Sequence, residues 1–148
     1  MIIDAHAKFA DAQTVTTNSD SPGVVSEHTI DLGVARDLGI GQPMYVVVTV
    51  DTTMTSSGSN DNLDVNLITD GDSALGSATT LQKLCTVPQV SVAGTKVFGV
   101  IAPGLTYERY LGLLFKTDSG PLTAGAFSAY LVLNSDGIKH YADGYAIS

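Results

Sequence analysis

The stretch TYERYLGLLF, residues 106–115, sets Glu108 beside Arg109 between Tyr107 and Tyr110. An acid, a base and two phenols this close could form a chemical site with Arg109 at its centre. Strand geometry argues otherwise. Side chains alternate between faces, so Tyr107, Arg109, Leu111, Leu113 and Phe115 share one face, and Glu108, Tyr110, Gly112, Leu114 and Lys116 share the other. Glu108 and Arg109 therefore cannot pair with each other. Arg109 falls on the more apolar face, where its stem can lie over Tyr107 and its head can reach the sheet edge. The cluster reads as the start of a buried strand.

Other chemistry-bearing residues are scattered. His6, His28 and His140 each stand alone, without a second histidine three or four residues away, and the single Cys85 has no CxxC partner. A zinc or iron site would need them to converge through tertiary structure alone. The runs Asn60-Asp61-Asn62-Leu63-Asp64 and Asp70-Gly71-Asp72-Ser73 offer oxygens to calcium. An EF-hand loop starting at Asp70 would need Glu at its twelfth position and finds Leu81. Asp-Gly and Asn-rich runs are also what tight turns require. No Gly-x-Ser-x-Gly elbow or phosphate-binding glycine loop occurs. Cys85 lies inside a candidate strand, where a structural thiol is expected. Thirteen Asp but two Glu leave many carboxylate pairings open for a glycosidase, while the absence of tryptophan removes the usual sugar-stacking face. The expectation is no catalytic residue, no cofactor, no bound metal, and no enzyme.

The elements that would position these residues are strands. Apolar runs and alternations recur, broken by Gly, Pro, Asn, Asp or Ser about every ten residues, which is the pattern of a sandwich or barrel. Strands are predicted at residues 12–17, 24–32, 44–50, 63–69, 80–86, 96–102, 109–116 and 126–134, with a short one at 141–147. Residues 52–62 are predicted to be a mobile Ser/Thr/Gly loop. The expected fold is a single all-β domain over residues 1–148, a jelly-roll-like β-sandwich of about 8–10 strands.

Composition narrows the partners. Seven Lys and Arg against fifteen Asp and Glu give a net charge of −8, which repels phosphate backbones and argues against nucleic acid. No apolar run approaches the ~20 residues of a membrane helix. Residues 1–6, MIIDAH, lack the basic and apolar regions of a signal peptide, so a protein made and kept in solution, without a secretion or membrane address, is expected. Charged residues make up 15% of the chain, where about 25% is usual. A neutral polar β surface, or one covered by other subunits, accounts for the deficit.

The order of segments is itself informative. FADAQTVT (9–16), TIDLG (29–33) and MYVVVTVDTTM (44–54) are followed by ERYLGLLF (108–115) after Pro103-Gly104, and then LTAGAFSAYLVL (122–133). In this order they resemble a family of small capsid cement, or decoration, proteins of tailed bacteriophages, especially short-tailed ones. The resemblance implies a jelly-roll-like sandwich on the outside of a phage head, in the virion, bound over joints between major capsid protein subunits as a homodimer or other small oligomer. It supplies no catalytic residues. Residues 1–11, with Ile2, Ile3 and Phe9, and the 52–62 loop are the expected contact or variable regions; residues 1–11 would equally serve to cover the sandwich edge. The competing readings are a carbohydrate- or calcium-binding β-sandwich module of a tail or glycan-degrading protein, and a cupin-type enzyme, which would need a His-x-His pair that is absent.

Overall fold

A computed structural model describes residues 5–17, 19–36, 41–58 and 61–133. Nine strands are defined among them: β1 (Lys8–Thr14), β2 (Val24–Val25), β3 (Ile30–Asp31), β4 (Met44–Ser56), β5 (Leu63–Asp70), β6 (Thr79–Val87), β7 (Lys96–Ile101), β8 (Tyr110–Thr117) and β9 (Leu122–Val132). A single 3₁₀ turn, Ala5–Ala7, precedes them. The strands form two antiparallel sheets, one ordered β1-β9-β4-β7 and the other β2-β8-β5-β6, with β3 also pairing β8. Taking β2 and β3 as one interrupted strand, this is the eight-strand order of a jelly roll, in which the chain crosses repeatedly between two sheets.

The core forms where the inner faces meet. Val46, Val48 and Val50 on β4, Phe127 and Ala129 on β9, Leu63, Val65 and Leu67 on β5, and Leu111, Leu113 and Phe115 on β8 are fully buried in one cluster. The Phe115 and Phe127 rings stack across the sheets at 6.2 Å between centroids. The alternation of β5 follows the sequence pattern, because Leu63, Val65 and Leu67 reach the core while Asp64 and Asn66 point outward.

Three expectations need correction. The first strand runs from Lys8 to Thr14, earlier than residues 12–17. Register shifts against β9 and a left-handed Ala12 (φ 51) break its period, so Phe9 and Ala10 are buried consecutively and alternation does not reveal it. The expected strand at 24–32 is two short pieces. Ser26 interrupts it: its hydroxyl donates to the His28 carbonyl (2.9 Å) and accepts the Leu113 N–H (3.0 Å). The first part of the expected loop at 52–62, residues 52–56, is strand, since β4 continues to Ser56 and pairs with β9 through bulges. Its threonines are good β formers, and Met54 is fully buried among them. The predicted strand at 141–147 and His140 lie outside the described residues.

Candidate docking surface

A β-sandwich can meet a partner through its open edges or its outer faces. Each open edge is clipped to the opposite sheet by side-chain bonds. At one, the Gln13 side chain of β1 donates to the Val25 carbonyl (2.8 Å) and accepts the Glu27 N–H (2.9 Å). Two further bonds join this corner: His28 N–H to the Phe9 carbonyl, and Asp11 N–H to the Glu27 carboxylate, each 2.9 Å. At the other, Gln82 of β6 donates to the Val100 carbonyl and accepts the Ala102 N–H, both at 2.9 Å. Each primary amide stands in for a peptide unit and ties one sheet to the other. Beside Gln82, a Cβ on Gly99 would lie 2.7 Å from the Leu84 carbonyl carbon; only glycine lets β7 approach β6 so closely. Strand addition has no free ladder to extend at these points.

The outer face of the five-stranded sheet carries its own cover. The connection between β5 and β6, residues 71–78, folds back so that Leu75 sits on Gly112, where a Cβ would collide with its methyl group. Leu75 is 4% exposed and Ile68 2%, both outside the central core. Asp70 fixes the connection by accepting the N–H groups of Asp72 (3.1 Å) and Ser77 (2.9 Å), which hold its carboxyl below the usual range. A cleft of about 290 Å³, lined by Pro22, Val25, Leu75, Ala78 and Leu114 among others, remains beside it. The rest of the face is charged: Asp64 lies in register with Lys116 and bridges Lys83 at 2.6 Å.

Among the described residues, no such cover lies over the outer face of the four-stranded sheet. Three rungs cross it in register: Val132–Tyr45–Val100, Tyr130–Val47–Phe98, and Ser128–Thr49–Lys96. Val47 is 1% exposed, flanked by Tyr130 and Phe98, while Phe98 and Val100 are 53% and 46% exposed. The rungs carry no carboxylate. Lys8, 6.0 Å from the Tyr130 ring centroid, is tied to Asp11, and Asp51 stands past the third rung, where it accepts the Ser128 hydroxyl (2.6 Å). With strands ~4.8 Å apart and rungs ~6.8 Å apart, the strip projects on the order of 300 Å². The largest apolar patch on a typical monomer is of about this size and is often functional.

The residues singled out from sequence are placed as follows. Tyr107 precedes the strand and turns into the core at 3% exposure, so it does not share a surface with Arg109. Arg109 is exposed, because β8 begins one residue later, at Tyr110. Its guanidinium forms two 2.9 Å bonds to the Asp31 carboxylate and lies 5.0 Å from the Tyr110 ring centroid. These bonds, with the Gly33 N–H, lower the Asp31 carboxyl to about 2. Glu108 and Arg109 do not pair; the partner is Asp31, 78 positions away in sequence, which no local pattern announces.

Asp61 is fully buried and clamps a loop, accepting the Gly58 N–H (2.8 Å) and the Ser119 hydroxyl, and these donors, the Ser119 hydroxyl foremost, lower its carboxyl. Asn62 accepts the Gln89 N–H, and Asp72 accepts the Ala74 N–H, each at 3.0 Å. Both candidate calcium runs thus spend oxygens on turn donors; Asn60 lies outside the described residues. Among the described residues, no three His, Cys, Asp or Glu side chains group so as to hold a metal. Cys85 is half-buried in β6, and burial pushes its thiol up to about 11, far from a reactive thiolate at neutral pH. His6 lies in the 3₁₀ turn and exposed His28 approaches Glu27 at 3.5 Å. Of the expected contact regions, residues 8–11 belong to β1 with Phe9 buried, so this part covers the sandwich edge; Ile2 and Ile3 lie outside the described residues. The three rungs were missed because Val47, Phe98 and Val100 read as ordinary strand residues. Continuity of the run 44–50 was the available signal, since apolar residues at both parities bury both faces.

Residues 9–131 match the protein-family model described as Bbp16. No curated protein matches the chain. Among solved structures, one similar fold is that of the CBM22-1–GH10 modules of Clostridium thermocellum endo-1,4-β-D-xylanase 10B complexed with xylohexaose. It aligns with a TM-score of 0.43 and 12% identity over 96% of this chain, which spans 28% of that longer one.

Proposed function

The chain belongs to the Bbp16 family, and from that premise we propose that it is a structural virion protein that binds the outside of a phage head and cements contacts between major capsid protein subunits. The observation that carries this reading is the apolar outer face of the four-stranded sheet, over which no described segment lies, with Tyr45, Val47, Phe98, Val100 and Tyr130 in register on an otherwise acidic chain. It explains the shortage of surface charge noted in the sequence, because interface cores are depleted of charged residues. The order of sequence segments, which resembles capsid decoration proteins, points the same way.

The mechanism is binding without catalysis. The strip is smaller than the ~800 Å² per partner of a standard interface, so one copy on one subunit holds weakly. A copy that touches two subunits, or associates with another copy, converts weak contacts into a stable coat through high effective concentration. The clipped edges favour this, since they hinder polymerisation strand to strand as the protein accumulates on a shell.

The test is co-sedimentation of purified protein with empty heads of the phage that encodes it. Saturable binding at a fixed number of copies per head is expected; absence of binding would remove the reading. A melting temperature raised by calcium or by an oligosaccharide panel would favour the carbohydrate- or calcium-binding alternative instead.

A further inference from the structure

The open strip ends on a charge. Along β7, Lys96, Phe98 and Val100 are exposed, while Gly99 and Ile101 between and beyond them are buried. The third rung, Ser128–Thr49–Lys96, therefore sets an ammonium beside the Phe98 rung on the same outer face. Lys96 is the one charged residue on the three rungs. Four ion pairs form among the described residues, Lys8–Asp11, His28–Glu27, Lys83–Asp64 and Arg109–Asp31, and Lys96 is in none of them. Lys116, on the covered face, lies in register with Asp64. Asp51, two residues beyond Thr49 on β4, is engaged on the other flank. It accepts the Ser128 hydroxyl on β9 (2.6 Å), whereas Lys96 sits across β4 on β7.

This placement restricts what can cover the strip. Apolar atoms packed on Phe98 lie one rung spacing (~6.8 Å) from Lys96. Taking an ammonium out of water without a counter-charge is costly, so a wholly apolar cover is disfavoured there. A carboxylate over Lys96 offsets that cost with a charge-assisted hydrogen bond and fixes the register of the contact. A second copy laid strip to strip would bring no carboxylate from its rungs. A basic surface, which a chain of net charge −8 attracts at long range, would set like charges together at this point.

We infer that the open face takes an apolar strip of the capsid subunit that carries a carboxylate opposite Lys96. The contact is then apolar over the Tyr45 and Val47 rungs and ionic at the Thr49 rung. This rests on the cement reading and deepens it, because it names the chemistry of the partner surface. It also reverses what net charge alone would suggest, since an acidic chain here presents a cation to an acidic site. The ionic end supplies orientation that a band of valines and aromatic rings lacks.

The test measures binding of the full chain to empty heads at low and at physiological salt, for wild type and three variants. Lys96→Glu sets like charges together and should weaken binding at least about tenfold at low salt, with a smaller deficit as salt rises. Lys96→Met keeps the stem without the charge, and should weaken binding about threefold and flatten its salt dependence. Lys116→Glu changes net charge by the same amount on the covered face and should bind within about twofold of wild type. All three are surface substitutions and should melt within ~2 °C of wild type. Lys96→Glu binding as well as wild type would overturn the inference and leave Lys96 a guard of the sheet edge, with the cement reading intact. An equal loss for Lys116→Glu would overturn it as well, since the effect would then follow net charge and not this face. A change in solution mass for Lys96→Glu with unchanged head binding would also overturn it, making the face a contact between copies. If wild type itself fails to bind, the cement reading fails and takes this inference with it.

Discussion

The two outer faces of the sandwich are built from similar strands and end in opposite states. On the five-stranded sheet, Ile68, Leu114 and Gly112 would form an apolar patch, but residues 71–78 fold over it and Leu75 fills the space above Gly112. On the four-stranded sheet, Tyr45, Val47, Phe98 and Val100 form a patch of similar character, and no segment among the described residues lies over it. Among the described residues, a covering segment lies over one of the two faces.

The sharpest way to break this contrast is to shorten matched side chains on the two faces. Leu75→Ala should cost about 2–4 kcal/mol, since it removes buried methyl groups and leaves a void over Gly112; chemical denaturation measures it. A loss below ~1 kcal/mol would mean that the cover is not an integral part of the fold. Second in size are the edge clips. Gln13→Ala and Gln82→Ala each delete two inter-sheet hydrogen bonds and leave backbone groups to find water, for an expected loss of about 1–2 kcal/mol. Hydrogen exchange should rise at Glu27 in the first and at Ala102 in the second. Phe98→Ser on the open face should cost about 1 kcal/mol, through lost strand propensity and packing on Val47, although it removes a larger side chain than Leu75→Ala does. Loss of stability equal to that of Leu75→Ala would erase the distinction between the faces.

The smallest expected effect is electrostatic. Asp31, bonded to Arg109, has its carboxyl lowered from 3.8 to about 2, and Asp61 and Asp70 are lowered by their hydrogen-bond donors. A lowered carboxyl contributes stability that is complete above its unfolded value and lost as pH falls through its folded one. Melting temperature should therefore decline between about pH 4 and pH 2, and Asp31→Asn should make that decline slightly shallower. The Asp31–Arg109 pair is exposed and screened, so an acid transition governed mainly by it would contradict the structure.

Much of the fold was legible in sequence because burial on one face leaves a period of two. Residues 63–69 and 109–116 display it, and their strands fall within one residue of expectation. Legibility failed where the backbone departs from that period. The bulges of β1 bury Phe9 and Ala10 together, and the bulged half of β4 places Thr52, Thr53 and Thr55 in what reads as loop. The candidate surface was harder still, because a valine aimed at the core and a valine on the outer face look alike in one dimension. Phe98 becomes informative only when the register sets it beside Val47 and Tyr130. Arg109 shows the same limit: parity separated it from Glu108, but only the fold brings in Asp31 and sends Tyr107 inward.

Hydroxyl-radical footprinting of the protein free and bound to empty heads tests the central claim most directly. Tyr45, Phe98 and Tyr130 should lose reactivity on binding, while Pro22 and Leu114 beside the covered face stay as they are. Protection confined to Pro22, Leu114 and the 71–78 connection, with Phe98 as reactive as in the free protein, would contradict it.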